Sequence, residues 1–189
     1  SLFGLADPIG HFLALVAPVL FGTVPCFGEG RLPGVAEWRQ CAPGVVALPA
    51  RLLDQLRRET SARAARTEGW QRHLIQRWIA QGGPRGWLHA LVGRPVAAGL
   101  GLASTHTVMT GYERMTAVSA RFLARLGIAT RGLYGLVEAA GPVAAFAQAE
   151  APALRVFERY GADVTPEGRL VVELGGQRID TGDRVTLAG

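Results

Sequence analysis

The sequence between residues 106 and 131 predicts a strand, a helix and a second strand in direct succession. The apolar and β-branched residues 106–110 predict the first strand, and residues 128–131 predict the second. Thr116 can cap the intervening helix and Gly127 is placed to end it. Because a crossover between parallel strands is right-handed, both strands are expected to end at the same edge of one sheet.

The alternation of apolar strands with helices extends toward the amino end of the chain. Residues 43–49 are bracketed by prolines and predict a fully buried strand of the parallel type. Apolar spacing further predicts a short strand at 23–27 and helices at 11–20, 35–40, 51–66 and 70–81. Over residues 1–150 we therefore expect an α/β fold, in which a mostly parallel sheet is flanked by helices.

Beyond Pro142 the pattern changes to short strands of the antiparallel type. Residues 154–160 and 168–174 predict two of them, and residues 185–187 predict the last. We therefore expect a small β-rich subdomain over residues 151–189, with the boundary near residue 150.

The basic residues of this chain are unusual in kind, because all 20 of them are arginine and none is lysine. The missing lysine excludes a Schiff base, a phosphate-loop lysine and lysine-assisted phosphoryl or acyl transfer within this chain. Net charge is +5, yet acidic residues are interleaved with the arginines and the tryptophans have core spacing. We therefore expect no nucleic-acid partner.

Two cysteines and one long uncharged stretch bear on the cellular setting. Cys26 and Cys41 do not form the pattern of a disulfide framework or a zinc site, and they predict two buried thiols in a reducing cytosol. Residues 8–28 lack Asp, Glu, Lys and Arg, but three prolines interrupt them and no basic segment precedes them. The expectation is no transmembrane segment and a cytoplasmic location.

Tyr134, Gly135 and Glu138 follow the second strand of the central unit within a few residues. If they lie in a loop at its carboxyl end, they occupy the crevice where parallel α/β sheets present ligand groups. A tyrosine offers a flat face to a base, a glycine admits close backbone approach, and a glutamate can hold a hard cation beside phosphates. A simple turn explains a Tyr-Gly pair equally well.

Five short motifs also follow one another in a fixed order. They are Pro8-Ile-Gly-His11 before an apolar helix, residues 43–49 with a following arginine, Thr110-Gly111 before a helix, Tyr134-Gly-Leu-Val-Glu138, and Asp180-Thr-Gly-Asp183. In that order they resemble the AMP-forming adenylate enzymes, and most closely the long-chain fatty acid–CoA ligases. The resemblance covers nearly the whole chain, but only the middle of such an enzyme.

The resemblance implies a role for each matching residue. The Tyr134 ring would stack on adenine, beside the backbone of Gly135 and of the loop at Gly111 and Tyr112. Glu138 would be the catalytic carboxylate that holds Mg²⁺ near the ATP phosphates, and Asp183 would bind the ribose hydroxyls. His11 would lie on the acyl-substrate side. A turn-forming aspartate and a core histidine are the alternative interpretations of Asp183 and His11.

The chain departs from the family pattern at several points. Val137 stands where the family has a threonine, so a hydroxyl donor to the α-phosphate is missing. Tyr112 and Arg114 stand in place of small residues that pack on the adenine, and they can fill that space. The family's phosphate loop is expected before Ser1, and its mobile domain with the catalytic lysine is expected after the last residue.

Two functional hypotheses follow from the resemblance. In the first, the chain is part of a ligase that uses ATP, Mg²⁺ and CoA to activate a fatty acid or another carboxylate. In the second, it is a degenerate relative that binds an acyl group, a nucleotide or a protein partner without catalysis.

Under either hypothesis, this polypeptide alone should not form an acyl-adenylate, because it has no lysine to stabilise the transferring phosphoryl centre. The measurement is fatty-acid-dependent exchange of labelled pyrophosphate into ATP, with and without the purified chain. Exchange above the protein-free background would contradict the prediction.

Overall fold

A computed structural model describes residues 7–27, 35–81, 84, 86–111, 113–146 and 153–186. Its first sheet has five strands in the order β1 (Val45–Ala47), β2 (Thr107–Gly111), β3 (Ala129–Leu136), β4 (Gly141–Phe146) and β5 (Leu154–Val156). Strands β1, β2 and β3 are parallel, and β4 is antiparallel to both β3 and β5. In this sheet, all strands except β4 therefore run in the same direction.

A second, antiparallel sheet follows, with the order β6 (Gly161–Val164), β7 (Arg169–Leu174) and β8 (Gln177–Arg184). The helices are α1 (Pro8–His11), α2 (Ala17–Phe21), α3 (Val35–Cys41), α4 (Ala50–Ala65), α5 (Trp70–Gln81), α6 (Arg94–Gly99) and α7 (Ala117–Arg125). The predicted fold class, a mostly parallel sheet with flanking helices and a small β-rich unit, is confirmed.

None of the helices in the described ranges has both the length and the apolar character needed to cross a membrane.

Two π-helical turns, Phe12–Val16 and His89–Gly93, lead directly into α2 and α6. A proline follows each of them, Pro18 in α2 and Pro95 in α6. A proline has no backbone N–H and its ring crowds the preceding turn, so a widened turn accommodates it without ending the helix. This is why the predicted helix at 11–20 continues through its proline.

The central strand–helix–strand unit has the predicted form. In β2 and β3, Val108 pairs with Thr130 and Gly111 pairs with Leu133. The Thr116 hydroxyl accepts a hydrogen bond from the Ser119 backbone N–H at 3.3 Å and so caps α7. Gly127 follows the helix with a φ of 81°, a conformation that glycine adopts without strain.

The buried apolar side chains form two clusters. The first lies between the β1–β2 region and helices α4 to α7, and includes Leu48, Leu53, Trp78, Val108 and Leu123. The second joins β4 to the small sheet, and includes Val143, Ala144, Tyr160, Leu170 and Val172. Burying one large aliphatic side chain contributes roughly 1.5–3 kcal/mol, so both clusters are substantial. The second cluster fixes the small sheet against β4.

Three predicted strand positions differ from the structure. Residues 23–27 are exposed and join no strand of either sheet. The predicted strand 154–160 is confined to β5. Strand β8 ends at Arg184, and residues 185 and 186 of the predicted strand 185–187 belong to no strand, whereas residue 187 lies outside the described residues. Hydrogen bonding to β7 decides the position of β8, because the tight Gly175-Gly176 turn lets the chain form backbone hydrogen bonds to β7 directly after it.

The proposed boundary near residue 150 stays a prediction, and β5 beyond it pairs with β4.

The two cysteines also differ from expectation. Cys26 and Cys41 are both exposed and are paired as a disulfide, with their Cα atoms 6.5 Å apart. The expectation of two buried free thiols is therefore wrong. Disulfides are more common in oxidising compartments than in the cytosol, so a cytoplasmic location remains only a prediction.

Gly135 lies where β3, β4 and α1 meet, and it tests this packing. A Cβ atom there would lie 3.2 Å from the Gly141 carbonyl oxygen and 3.3 Å from Cγ1 of Ile9. Gly135→Ala should lower the free energy of unfolding by about 1–3 kcal/mol, because the backbone of β4 cannot move freely away. Urea unfolding measures the difference.

The matched control is Gly99→Ala at the end of α6, where a Cβ would meet no atom within 4 Å. That change should leave stability equal to the parent or raise it by about 0.4–1 kcal/mol. Equal stability of Gly135→Ala and the parent would contradict the packing argument.

Candidate functional site

An irregularity in the β3–β4 ladder positions Tyr134. Tyr134 pairs with Ala144, whereas the next residue, Gly135, pairs with Pro142, so Val143 is an extra residue in β4. A bulge of this kind increases the local twist and changes the direction of nearby side chains. Tyr134 and Gly135 consequently lie inside β3 and not in a loop, which corrects the sequence prediction. Strand β3 continues to Leu136 because β4 supplies backbone partners.

A larger irregularity in β8 positions Asp183. Asp180 pairs with Val171 and Arg184 pairs with Arg169, so residues 181–183 stand opposite Leu170 alone. Gly182 has a φ of 74°, which favours glycine at the centre of the bulge.

Side chains replace the ladder hydrogen bonds that this bulge removes. The Thr181 hydroxyl donates to the Leu170 carbonyl at 2.9 Å and accepts from the Asp183 backbone N–H at 3.2 Å. The Asp180 carboxylate accepts from the Gly182 backbone N–H at 3.0 Å, and it also pairs with Arg169 at 3.0 Å. These contacts hold the Thr-Gly-Asp segment in a defined shape.

The two bulges bring Tyr134 and Asp183 together, although 49 positions separate them in the sequence. The Tyr134 hydroxyl donates a hydrogen bond to the Asp183 carboxylate. Burial and this hydrogen bond raise the pKa of Tyr134 to about 12, and the negative charge of Glu138 contributes in the same direction. A hydrogen bond involving Thr181 opposes the increase in this pKa. Tyr134, Asp183, Thr181 and Glu138 thus form one cluster.

The other predicted site residues lie around this cluster to different degrees. Gly111, at the end of β2, is buried and pairs with Leu133, so it lies one strand away from Tyr134. Val137 and Glu138 are exposed in the turn after β3, with 76% of Val137 accessible. His11 is exposed at the end of α1 and is not a core histidine, which excludes that alternative. Tyr112 lies outside the described residues.

The donor set defines what this cluster can bind. An aspartate carboxylate can accept hydrogen bonds from both hydroxyls of a diol. A carboxylate that already accepts one hydrogen bond from a phenol still has other lone pairs free. The half-buried Tyr134 ring supplies an apolar flat surface. Within the described part of the chain, no three His, Cys, Asp or Glu side chains are grouped to hold a metal ion. Glu138 could therefore contribute only one protein ligand to a cation held mainly by phosphates and water.

Thr181 is the residue of this cluster whose function the sequence did not indicate. Its motif is part of the resemblance, but its hydroxyl acts as the internal support of the bulge and contacts Tyr134. The available signal was the Thr-Gly-Asp spacing, because a threonine hydroxyl commonly bonds to the backbone two residues ahead in a turn.

No protein-family model matches the sequence, and no curated protein matches it significantly. Among solved structures, an acyl-CoA synthetase (AMP-forming)/AMP-acid ligase II-like protein from Dyadobacter fermentans is similar with a TM-score of 0.40 and 17% sequence identity. The match covers 53% of this chain and 30% of that protein. A likeness at this level does not establish membership of a family.

The contact between Tyr134 and Asp183 can be tested by titration. With three tyrosines in the chain, the Tyr134→Phe variant identifies which phenolate absorbance step belongs to Tyr134. In the parent this step should lie near pH 12, and in Asp183→Asn it should move toward the ordinary value near 10, because a negative charge no longer opposes ionisation. Asp163→Asn, which changes an exposed aspartate of the small sheet outside the cluster, is the control and should leave the step unchanged. An unchanged step in Asp183→Asn would contradict the contact.

Proposed function

We propose that this chain is part of an AMP-forming acyl-CoA ligase-like protein, and that the cluster at Tyr134 and Asp183 is its adenosine site. The whole protein would use ATP to activate a fatty acid or another carboxylate, and would then transfer the acyl group to CoA. The observation that carries the proposal is the direct contact between these two side chains. The motif resemblance assigns both of them to one nucleotide, and they are in contact although 49 positions separate them in the sequence.

Each residue of the cluster has a role that its position supports. The Tyr134 ring would lie against the base, and the Asp183 carboxylate would accept hydrogen bonds from the ribose hydroxyls. Glu138 stands in the turn four residues after Tyr134, close enough for its charge to affect the Tyr134 pKa. There it would hold Mg²⁺, which supplies charge neutralisation at the ATP phosphates when it is bound. Gly111, on the neighbouring strand, would bring backbone toward the base.

The same cluster limits how tightly a nucleotide can bind. The Tyr134 hydroxyl already occupies the Asp183 carboxylate, so a ribose must share or displace this hydrogen bond. Val137 offers no hydroxyl in the exposed turn where the family has a threonine. One missing hydrogen bond to a charged group corresponds to roughly 1.5–3 kcal/mol, or about ten- to a hundred-fold in affinity.

These limits favour a second candidate function, a degenerate relative that binds a ligand or a protein without catalysis. The two candidates differ in whether residual nucleotide affinity depends on Glu138 and Asp183, which binding measurements can decide.

For the parent chain we expect ATP with Mg²⁺ to bind with a dissociation constant of about a millimolar or weaker. Val137→Thr should tighten binding about ten- to a hundred-fold, because it restores a hydroxyl donor without disturbing the core. Isothermal titration calorimetry measures both values.

Glu138→Ala and Asp183→Ala, each introduced into Val137→Thr, should remove the gained affinity. Glu59→Ala is the matched control, because Glu59 is an exposed carboxylate on α4, outside the cluster. Micromolar binding by the parent would contradict the degenerate-site interpretation. Binding that is indifferent to both carboxylates would show that the nucleotide site lies elsewhere.

A further inference from the structure

A cavity of about 520 Å³ lies among helices α4, α5, α6 and α7. Its walls are mainly apolar, and they include Ile75, Trp78, Val96, Leu100 and Phe122. Small-molecule sites typically have this size and this apolar character, with a few polar groups that orient the ligand. None of the lining residues belongs to the Tyr134–Asp183 cluster, so this is a separate site.

Four arginines, Arg39, Arg57, Arg63 and Arg125, line the same cavity, and the lining contains no aspartate or glutamate. In the described part of the chain, none of the four forms an ion pair within 4.0 Å. The Asp54 carboxylate, which does not line the cavity, interacts with Arg57. Burial raises the pKa of Asp54, but hydrogen bonds with Ser119 and Thr116 and the charge of Arg57 hold this pKa below its usual value. The cavity is therefore surrounded by an excess of positive charge.

Two of these arginines are held in place by hydrogen bonds to uncharged partners. Arg57 donates from Nε to the Ser119 hydroxyl at 3.1 Å. Arg39 donates to the carbonyl oxygens of Ala98 and Gly99 at 3.0 and 2.9 Å. A guanidinium has five N–H donors, so both retain donors for a further acceptor.

Trp78 supplies an independent indication of a ligand. It lines the cavity and is only 4% exposed, and its indole N–H has no hydrogen-bond acceptor among the described residues. Buried donors in folded proteins are nearly always paired, because leaving one unpaired sacrifices its hydration. An acceptor brought in by a ligand would satisfy this group.

Helix dipoles account for only part of this arrangement. Arg63 and Arg125 lie in the last turns of α4 and α7, where a cation is favourable without any ligand. That effect does not explain an apolar cavity of this size between the helices. Nor does it explain the unpaired indole N–H of Trp78.

We propose that this cavity binds an amphipathic carboxylate, a molecule with an apolar body and one anionic head. The apolar body lies against Ile75, Leu100 and Phe122. The carboxylate lies toward the arginines, whose planar guanidinium groups match its geometry, and it accepts the indole N–H of Trp78. The proposal is independent of the adenosine site.

Sodium dodecanoate, used below its micelle concentration, is the probe, and calorimetry on the full chain is the measurement. We expect saturable binding of one dodecanoate per chain. Dodecan-1-ol and dodecyltrimethylammonium, which share the apolar chain but lack the anion, should bind at least about tenfold more weakly. Equal affinity for the alcohol, or no saturable binding of dodecanoate, overturns the proposal.

Two sets of variants locate the carboxylate. The double variant Arg63→Gln, Arg125→Gln should weaken dodecanoate binding by about tenfold, and Trp78→Phe should weaken it while keeping an aromatic wall. The matched control is Arg72→Gln, Arg77→Gln, which removes two exposed arginines of α5 that do not line the cavity. An equal loss in this control overturns the proposal, since net charge alone would then explain binding.

Asp183→Asn separates this inference from the proposed function. Dodecanoate binding should be unchanged in that variant, whether or not the chain binds ATP. Loss of dodecanoate binding in Asp183→Asn would place the ligand at the other site and overturn the inference. Thermal unfolding of each variant, followed by circular dichroism, establishes that it is folded. Phe122→Leu replaces any cavity variant that does not fold. It removes ring contacts from the cavity wall, so it should weaken dodecanoate binding without changing the Tyr134 titration.

Discussion

The apolar contact between β4 and the small sheet is the interaction on which the candidate adenosine site depends. Val143 and Ala144 are fully buried against Leu170 and Val172, so the two sheets are held at a fixed separation. Polar contacts alone could not do this, because the exposed ion pairs of the small sheet contribute little. Only with this packing in place can a carboxylate in β8 meet a phenol in β3.

The fold was predictable from the sequence wherever one local signal acted alone. The central strand–helix–strand unit had a capping threonine, an amphipathic helix and a terminating glycine, and all three agree with the structure. Strand ends were not predictable in the same way, because they depend on partners distant in sequence. Strand β3 extends through Tyr134 only because β4 returns beside it. The predicted strand at 23–27 had suitable residues but no neighbouring strand.

For the site, sequence order indicated which residues belong together, but not how they meet. The bulges at Val143 and at residues 181–183 have no clear sequence signal apart from the Thr-Gly-Asp spacing around Gly182, and they decide where Tyr134 and Asp183 lie. The helical cavity was not predictable at all. Its arginines come from three helices, and along the sequence they resemble ordinary surface charges.

The exclusive use of arginine gives the helical cavity a property that lysine or histidine would not. Its lining holds no histidine, cysteine or carboxylate, and a guanidinium is always charged under physiological conditions. The positive potential there is consequently fixed across the physiological range, and no proton of the lining can be released or taken up when an anion enters. Acidity could change occupancy only through the ionisation of the incoming molecule itself, whereas dissolved salt would act directly by screening the guanidinium charges.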